Sequence, residues 1–139
     1  MTAASNYLEN KVLDHVLKNT AFTQPTNLYL ALFNNTSGNA AANLESGIFT
    51  DEISASGTGY ARKVISFDAA VGGTSSSSTT VTFDTAQASW GTVTHVAVVD
   101  SATRAVGNVL FWGAVTTPKA IDTADSFAVA SGNLTISLA

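Results

Sequence analysis

His15 and His95 are the only side chains in this sequence that ordinarily titrate near neutral pH, so a search for proton-transfer chemistry starts with them. His15 lies in a helical pattern between Asp14 and Val16. His95 lies in the middle of a β-branched run, between Thr94 and Val96. A chain this rich in serine can always supply a Ser–His–Asp combination on paper. No serine here sits on the sharp Gly-x-Ser-x-Gly turn that exposes a nucleophile, and no local motif names its partners. His95 therefore reads as a packed or hydrogen-bonded strand histidine. His15 reads as a solvated or sheet-facing helix residue.

The acidic residues carry no stronger signal. Zinc needs three or four closely spaced His, Cys or carboxylate ligands, and calcium needs several oxygens converging from one loop. Asp51-Glu52 and the Asp122/Asp125 pair are the only acidic groupings, and both read as turn formers and solvated surface. Asp68, Asp84 and Asp100 fall at strand ends, where the side chain bonds turn backbone. Paired carboxylates for glycoside cleavage have no distinguishing spacing here. Gly57-Thr-Gly59 and Gly72-Gly73 lack the following lysine and helix of a phosphate loop. There is no cysteine, so disulfides and thiolate metal sites are excluded.

The aromatic residues could line a sugar-binding face, but most fall within strand runs and read as core. Trp90, which precedes Gly91 at a strand start, is either a packing plug or a contact residue. Ile48 and Phe49 are an apolar pair inside a long polar loop and would anchor it to the body or to a partner. Ile48, Phe49 and Trp90 are the candidate partner-contact residues. No catalytic residue, cofactor or metal ligand is assigned.

These residues need elements to position them. Leu8, Val12, Leu13, Val16 and Leu17 recur at helical spacing. Asn6 as N-cap with Glu9 three residues on makes a capping-box pattern, and Asn19 is a C-terminal stop. This predicts an amphipathic helix over about 6–18, covering a sheet. Leu28 to Phe33 is a continuous apolar run that suits a strand buried on both faces. Residues 34–58 form a long loop, which at this length is functional or partly disordered. Further strands are predicted at 60–67, 81–83, 93–99, 108–112, 114–117, 126–130 and 134–138, with a flexible polar tip within 68–79. The class is mainly β: an antiparallel β-sandwich of about seven or eight strands, one N-terminal helix, and one domain over 1–139.

Composition bounds the function. Of 139 residues, 12% are charged, about half the usual ~25%, while 45% are hydrophobic. A surface poor in charge gives up little hydration when it is covered, which suits a protein packed against others. Net charge is −4 and the only adjacent basic pair is Arg62–Lys63, so nucleic-acid binding by phosphate neutralisation is discounted. No stretch approaches the ~20 apolar residues of a membrane span. The start, Met1-Thr-Ala-Ala-Ser-Asn6, lacks the basic and apolar regions of a signal peptide.

Several segments taken together resemble a family of small proteins encoded among the structural genes of tailed bacteriophages. They are Asn6-Tyr-Leu-Glu-Asn-Lys-Val-Leu-Asp14, Leu28-Tyr-Leu-Ala-Leu-Phe33, Gly59-Tyr-Ala-Arg62, Val81-Thr-Phe83, Gly113-Ala-Val-Thr-Thr-Pro-Lys119 and Gly132-Asn-Leu-Thr-Ile136. Ala88-Ser-Trp-Gly-Thr-Val-Thr-His95 is the most specific piece. The resemblance runs over nearly the whole chain and implies a non-enzymatic component of the virion. Within it, the leading expectation is a capsid decoration (cement) protein on the outer head surface. Its partners would be the major capsid protein or other virion proteins, and a homo-oligomer is compatible with it. A free N-terminal arm and the apolar loop residues suit that role. The alternative is a tail, collar or fibre-associated subunit that binds a host receptor or glycan. The resemblance carries over no catalytic residue.

Overall fold

The structure is a computed structural model that describes residues 3–138. Met1 and Thr2 of the N-terminal stretch lie outside the described residues. In order, the elements are β1 (Ala3–Ala4), α1 (Asn6–Leu17), β2 (Leu28–Phe33), α2 (Ala40–Glu45), β3 (Lys63–Ile65), β4 (Thr74–Ser76), β5 (Val81–Thr82), β6 (Gly91–Val99), β7 (Val109–Ile121), β8 (Ala128–Val129) and β9 (Thr135–Ser137). The chain is mainly β and every pairing is antiparallel.

One five-stranded sheet, ordered β1-β7-β6-β2-β3, organises the molecule. Its centre is dictated by β-branched and aliphatic runs with no polar break. In β2, Leu28, Leu30 and Leu32 face one side, while Tyr29, Ala31 and Phe33 face the other. On β6, Val96 and Val98 share the first side, and Ala97 and Val99 the second. The first face packs on a second layer made of two ribbons, β4–β9 and β5–β8. Between them Phe83 meets Tyr60, Trp90 and Phe127 at ring-centroid distances of 6.1, 6.2 and 6.0 Å. The second face is covered by α2 and Phe49, with Trp112 of β7 packed among them.

Several elements depart from the sequence reading. The runs at 108–112 and 114–117 belong to one strand, β7. Opposite Thr94 its register with β6 slips, between the Val93–Lys119 and His95–Ala114 pairs. Pro118, which cannot donate to a ladder, falls in that irregular stretch. The polar tip is ordered: Gly72 and Gly73 both take positive φ (60° and 78°), and Val71 and Thr74 exchange backbone hydrogen bonds around them. That is the geometry of a tight two-residue hairpin turn. It launches β4, whose Thr74 and Ser76 hydroxyls meet Ser137 and Thr135 of β9. Of the strand expected over 60–67, only Lys63–Ile65 pairs as a strand; Tyr60 and Arg62 are pinned by side-chain bonds instead.

Of the N-terminal arm expected to be free, Ala3 and Ala4 are docked: they pair with Trp112 and Phe111. Helix α1 is capped by Ser5, not Asn6. Its hydroxyl accepts from Leu8 N–H and also donates to the Val109 carbonyl, which fastens the helix start to β7. At the other end Asn19 takes a positive φ of 55°, and exposed His15 meets the Thr20 carbonyl and the Phe22 amide through Nδ1. The helix does not lay its apolar face on the sheet. Leu8 is its one buried residue, while Leu13, Val16 and Leu17 are 54%, 69% and 74% exposed.

Candidate partner-binding surface

The loop over residues 34–58 is a built platform. Asn35 accepts the Ala40 amide through its side chain and helps start α2. Gly47, with φ 75°, ends α2 and turns the chain so that Ile48 N–H reaches the Asn43 carbonyl. The return segment runs beside β2: Asn34 N–H donates to Asp51 O, Ile53 N–H donates to Leu32 O, and Phe33 bridges Glu52.

Asp51 and Glu52 are buried, against their reading as solvated turn formers, and each is saturated with donors. Asp51 accepts the Ser37 amide and hydroxyl, both at 2.7 Å, and the Asn43 amide at 3.3 Å. Burial alone would raise its pKa, but the Ser37 and Asn43 donors and the nearby His95 outweigh it, so the carboxyl lies below its usual value. Glu52 takes Arg62 in a two-pronged pair, Nε at 2.7 Å and Nη2 at 2.8 Å. It also accepts Tyr60 Oη at 3.0 Å and Ala105 N–H at 2.7 Å. Arg62 spends its remaining nitrogen on the carbonyls of Ser101 and Val106, each at 2.8 Å. Burial first, and the Glu52 carboxylate second, hold the Tyr60 phenol far above its usual range.

This network positions the candidate contact residues. Phe49 stacks on Phe33 at 6.5 Å, and the Arg62 guanidinium sits 4.9 Å over its ring. Phe49 is thereby half-buried, and Ile48 beside it stays 47% exposed. Trp90 is 2% exposed: its ring meets Tyr60 edge-on at 5.6 Å and its Nε1 donates to Thr58 O at 2.9 Å. It is a packing plug at the floor of a cleft of about 390 Å³ rimmed by Asn34, Thr36, Ser54 and Ser89. The structure brings Ile48 and Phe49 together and leaves Trp90 elsewhere.

His95 bonds Thr94 through Nδ1 at 2.9 Å and lies 6.4 Å from the Trp112 ring. Burial lowers its pKa, with Asp51 opposing. The Asp51 oxygens are taken by Ser37 and Asn43, so no carboxylate–imidazole–hydroxyl relay is built there. Among the described residues no group of three His, Cys or acidic side chains could hold a metal ion. No helix among them is long and apolar enough to cross a membrane.

Sequence reasoning missed a second surface. Leu8, Val12, Leu13 and Phe111, with Leu138 from the C-terminal end, line an open groove of about 550 Å³. Phe111 and Leu138 also line a neighbouring apolar hollow with Leu28, Phe67 and Ile136. One signal was available: at about 100° per residue the helix's apolar positions span roughly half its circumference, wider than one packing stripe requires.

Residues 3–137 match the family described as podophage GP4 fiber I protein gp80. No curated protein matches the chain. A match over this much of the sequence shows the lineage: the chain belongs to the podophage fiber I family of small, fibre-like virion proteins of tailed phages.

Proposed function

We propose that this protein is a non-enzymatic, fibre-associated subunit of a podophage tail, held in place by non-covalent contact with neighbouring virion proteins. The observation that carries the reading is the family match over residues 3–137. The surface agrees with it. Only 12% of residues are charged, and two of the buried charges, Glu52 and Arg62, neutralise each other inside. What remains outside is largely hydroxyl, amide and apolar, which is inexpensive to desolvate. The platform that carries Ile48 and Phe49 is fixed before any partner arrives, so docking there orders few side chains.

Capsid decoration, the expectation drawn first from the resemblance, uses the same low-charge surface but a different location. Binding only to an assembled shell would stabilise it by mass action. The two readings part on where the protein is found. Virions are separated into heads and tails, and the protein is quantified in each fraction alongside immunogold labelling of intact particles. Label on the tail, in a copy number set by tail symmetry, is the expected result. Label spread over the head in hundreds of copies would replace the fibre reading with decoration. A hydrolytic activity that survives purification and is lost in His95→Ala would overturn both.

A further inference from the structure

The exposed half of α1 has a shape that fits itself. Its N-terminal half borders the groove formed by Leu8, Val12, Leu13, Phe111 and Leu138. Its C-terminal half carries Val16 and Leu17, which are 69% and 74% exposed and project from the body. One chain thus presents both a hole and a knob, at opposite ends of one helix. An antiparallel two-fold crossing brings the knob of each copy to the hole of the other, as an isologous interface requires.

The helix dipole follows the same polarity. Antiparallel pairing sets the positive end of each helix dipole toward the negative end of its neighbour. A parallel pairing would put like ends together and leave both holes empty.

The area is sufficient. Scaled by ordinary side-chain areas, the exposed parts of Val12, Leu13, Val16, Leu17 and Leu138 sum to roughly 500 Å², near the top of the ~300–600 Å² range for the largest patch on a monomer. Two copies together would bury at most roughly 1,000 Å², the lower edge of specific association.

We propose that this face is the contact between two copies of the chain, made by antiparallel packing of α1 against α1. The inference is independent of the fibre-or-head question, since it concerns only the isolated protein. The test is sedimentation equilibrium of the full-length protein over a wide concentration range. The expected mass is twice 14.3 kDa. Val16→Asp with Leu17→Asp should weaken pairing at least about a hundredfold, because two apolar knobs are lost and charges enter the groove. Both positions are exposed, so unchanged circular dichroism and Trp fluorescence confirm that the variant folds. A monomer at all concentrations, a trimer, or a dimer indifferent to Val16→Asp/Leu17→Asp would each overturn the proposal. A monomer that instead binds another virion protein through this face would assign it to that partner.

Discussion

Replacing Arg62 by Met keeps most of the side chain's volume and removes its charge. Glu52 then stays buried, 3% exposed, with no counter-ion. Two of its four hydrogen bonds vanish, and the carbonyls of Ser101 and Val106 lose their donor. Removing one partner of a buried ion pair costs about 3–5 kcal/mol, because the other charge is left uncompensated. Each orphaned acceptor would cost about 1–3 kcal/mol by itself, though part of that is already within the first figure. We therefore expect Arg62→Met to cost about 4 kcal/mol, a large share of the ~5–15 kcal/mol that a domain has. The double variant Glu52→Leu/Arg62→Met removes both charges but still strands Ser101 O, Val106 O, Ala105 N–H and the Tyr60 hydroxyl, at about 1–3 kcal/mol for each that finds no new partner. With Glu52→Leu as the second single variant, the double replacement should cost well below the sum of the two singles, as an interacting pair requires.

Equilibrium unfolding in urea, followed by Trp fluorescence, measures these costs. Trp90 is a suitable reporter because it is 2% exposed and 5.6 Å from Tyr60, which is itself bonded to Glu52. A cost below about 1 kcal/mol for Arg62→Met, or additive single and double effects, would refute the account of Glu52–Arg62 as the clamp on this loop.

Other expectations are narrower. The folded state holds the pKa of His95 below its usual 6.5, so the unfolded chain takes up that proton first, and stability falls as pH drops below 6.5 toward the folded value. His95→Gln should flatten that limb of a stability–pH curve. The Asp51 carboxyl lies below its usual 3.8, so its contribution is complete above 3.8 and disappears as pH falls through the folded value; Asp51→Asn should remove this second, more acidic limb. Ser5→Ala deletes both the cap on α1 and the tie to Val109, and should cost about 1–2 kcal/mol by thermal or urea denaturation. Gly107 has φ 91°, and an added Cβ would sit 2.5 Å from Asp100 Oδ1 and 2.6 Å from Ser101 Cβ. Gly107→Ala should therefore destabilise by about 1–3 kcal/mol, the range for a residue forced into a sparsely populated backbone region.

The parts of the fold that were legible share a physical cause. β2 and the Val96–Val99 half of β6 are apolar throughout because both faces of the central sheet are covered, and such runs announce themselves. α1 was legible from its apolar spacing, although whether that face is covered by its own chain is not a property of the spacing. β4 was hidden because a strand held by hydroxyl pairs, Thr74 with Ser137 and Ser76 with Thr135, has no apolar alternation to show. The Glu52–Arg62 clamp was hidden because ten residues separate its members and each alone looks like a surface charge. Its faint signal was Arg62 itself, one of six basic residues, two positions after Tyr60 in a strand-like run. Of the contact candidates, Ile48 and Phe49 were found because apolar residues in a polar loop need a reason. Trp90 was ambiguous because a strand-start tryptophan before Gly91 fits a plug and a contact equally well.

The buried clamp and the exposed helix call for different kinds of attachment. The loop that carries Ile48 is fixed by two adjacent carboxylates, Asp51 to Ser37 and Asn43 and Glu52 to Tyr60, Arg62 and Ala105, so a partner there meets a surface already in its final shape. Contact on such a platform orders few groups, and affinity can come from a small apolar patch. Helix α1 is the opposite case. One residue, Leu8, is buried, and the helix is held at its start by Ser5 and its last turn by His15 and Asn19. A helix of 12 residues is marginal in water without tertiary support. Covering Val12, Leu13, Val16 and Leu17 therefore does two things at once: it buries apolar surface, and it stabilises the helix that presents it. Self-association through α1 should accordingly raise the protein's melting temperature with concentration, whereas an Ile48 platform that serves a different virion protein leaves the melting temperature of the isolated protein independent of concentration.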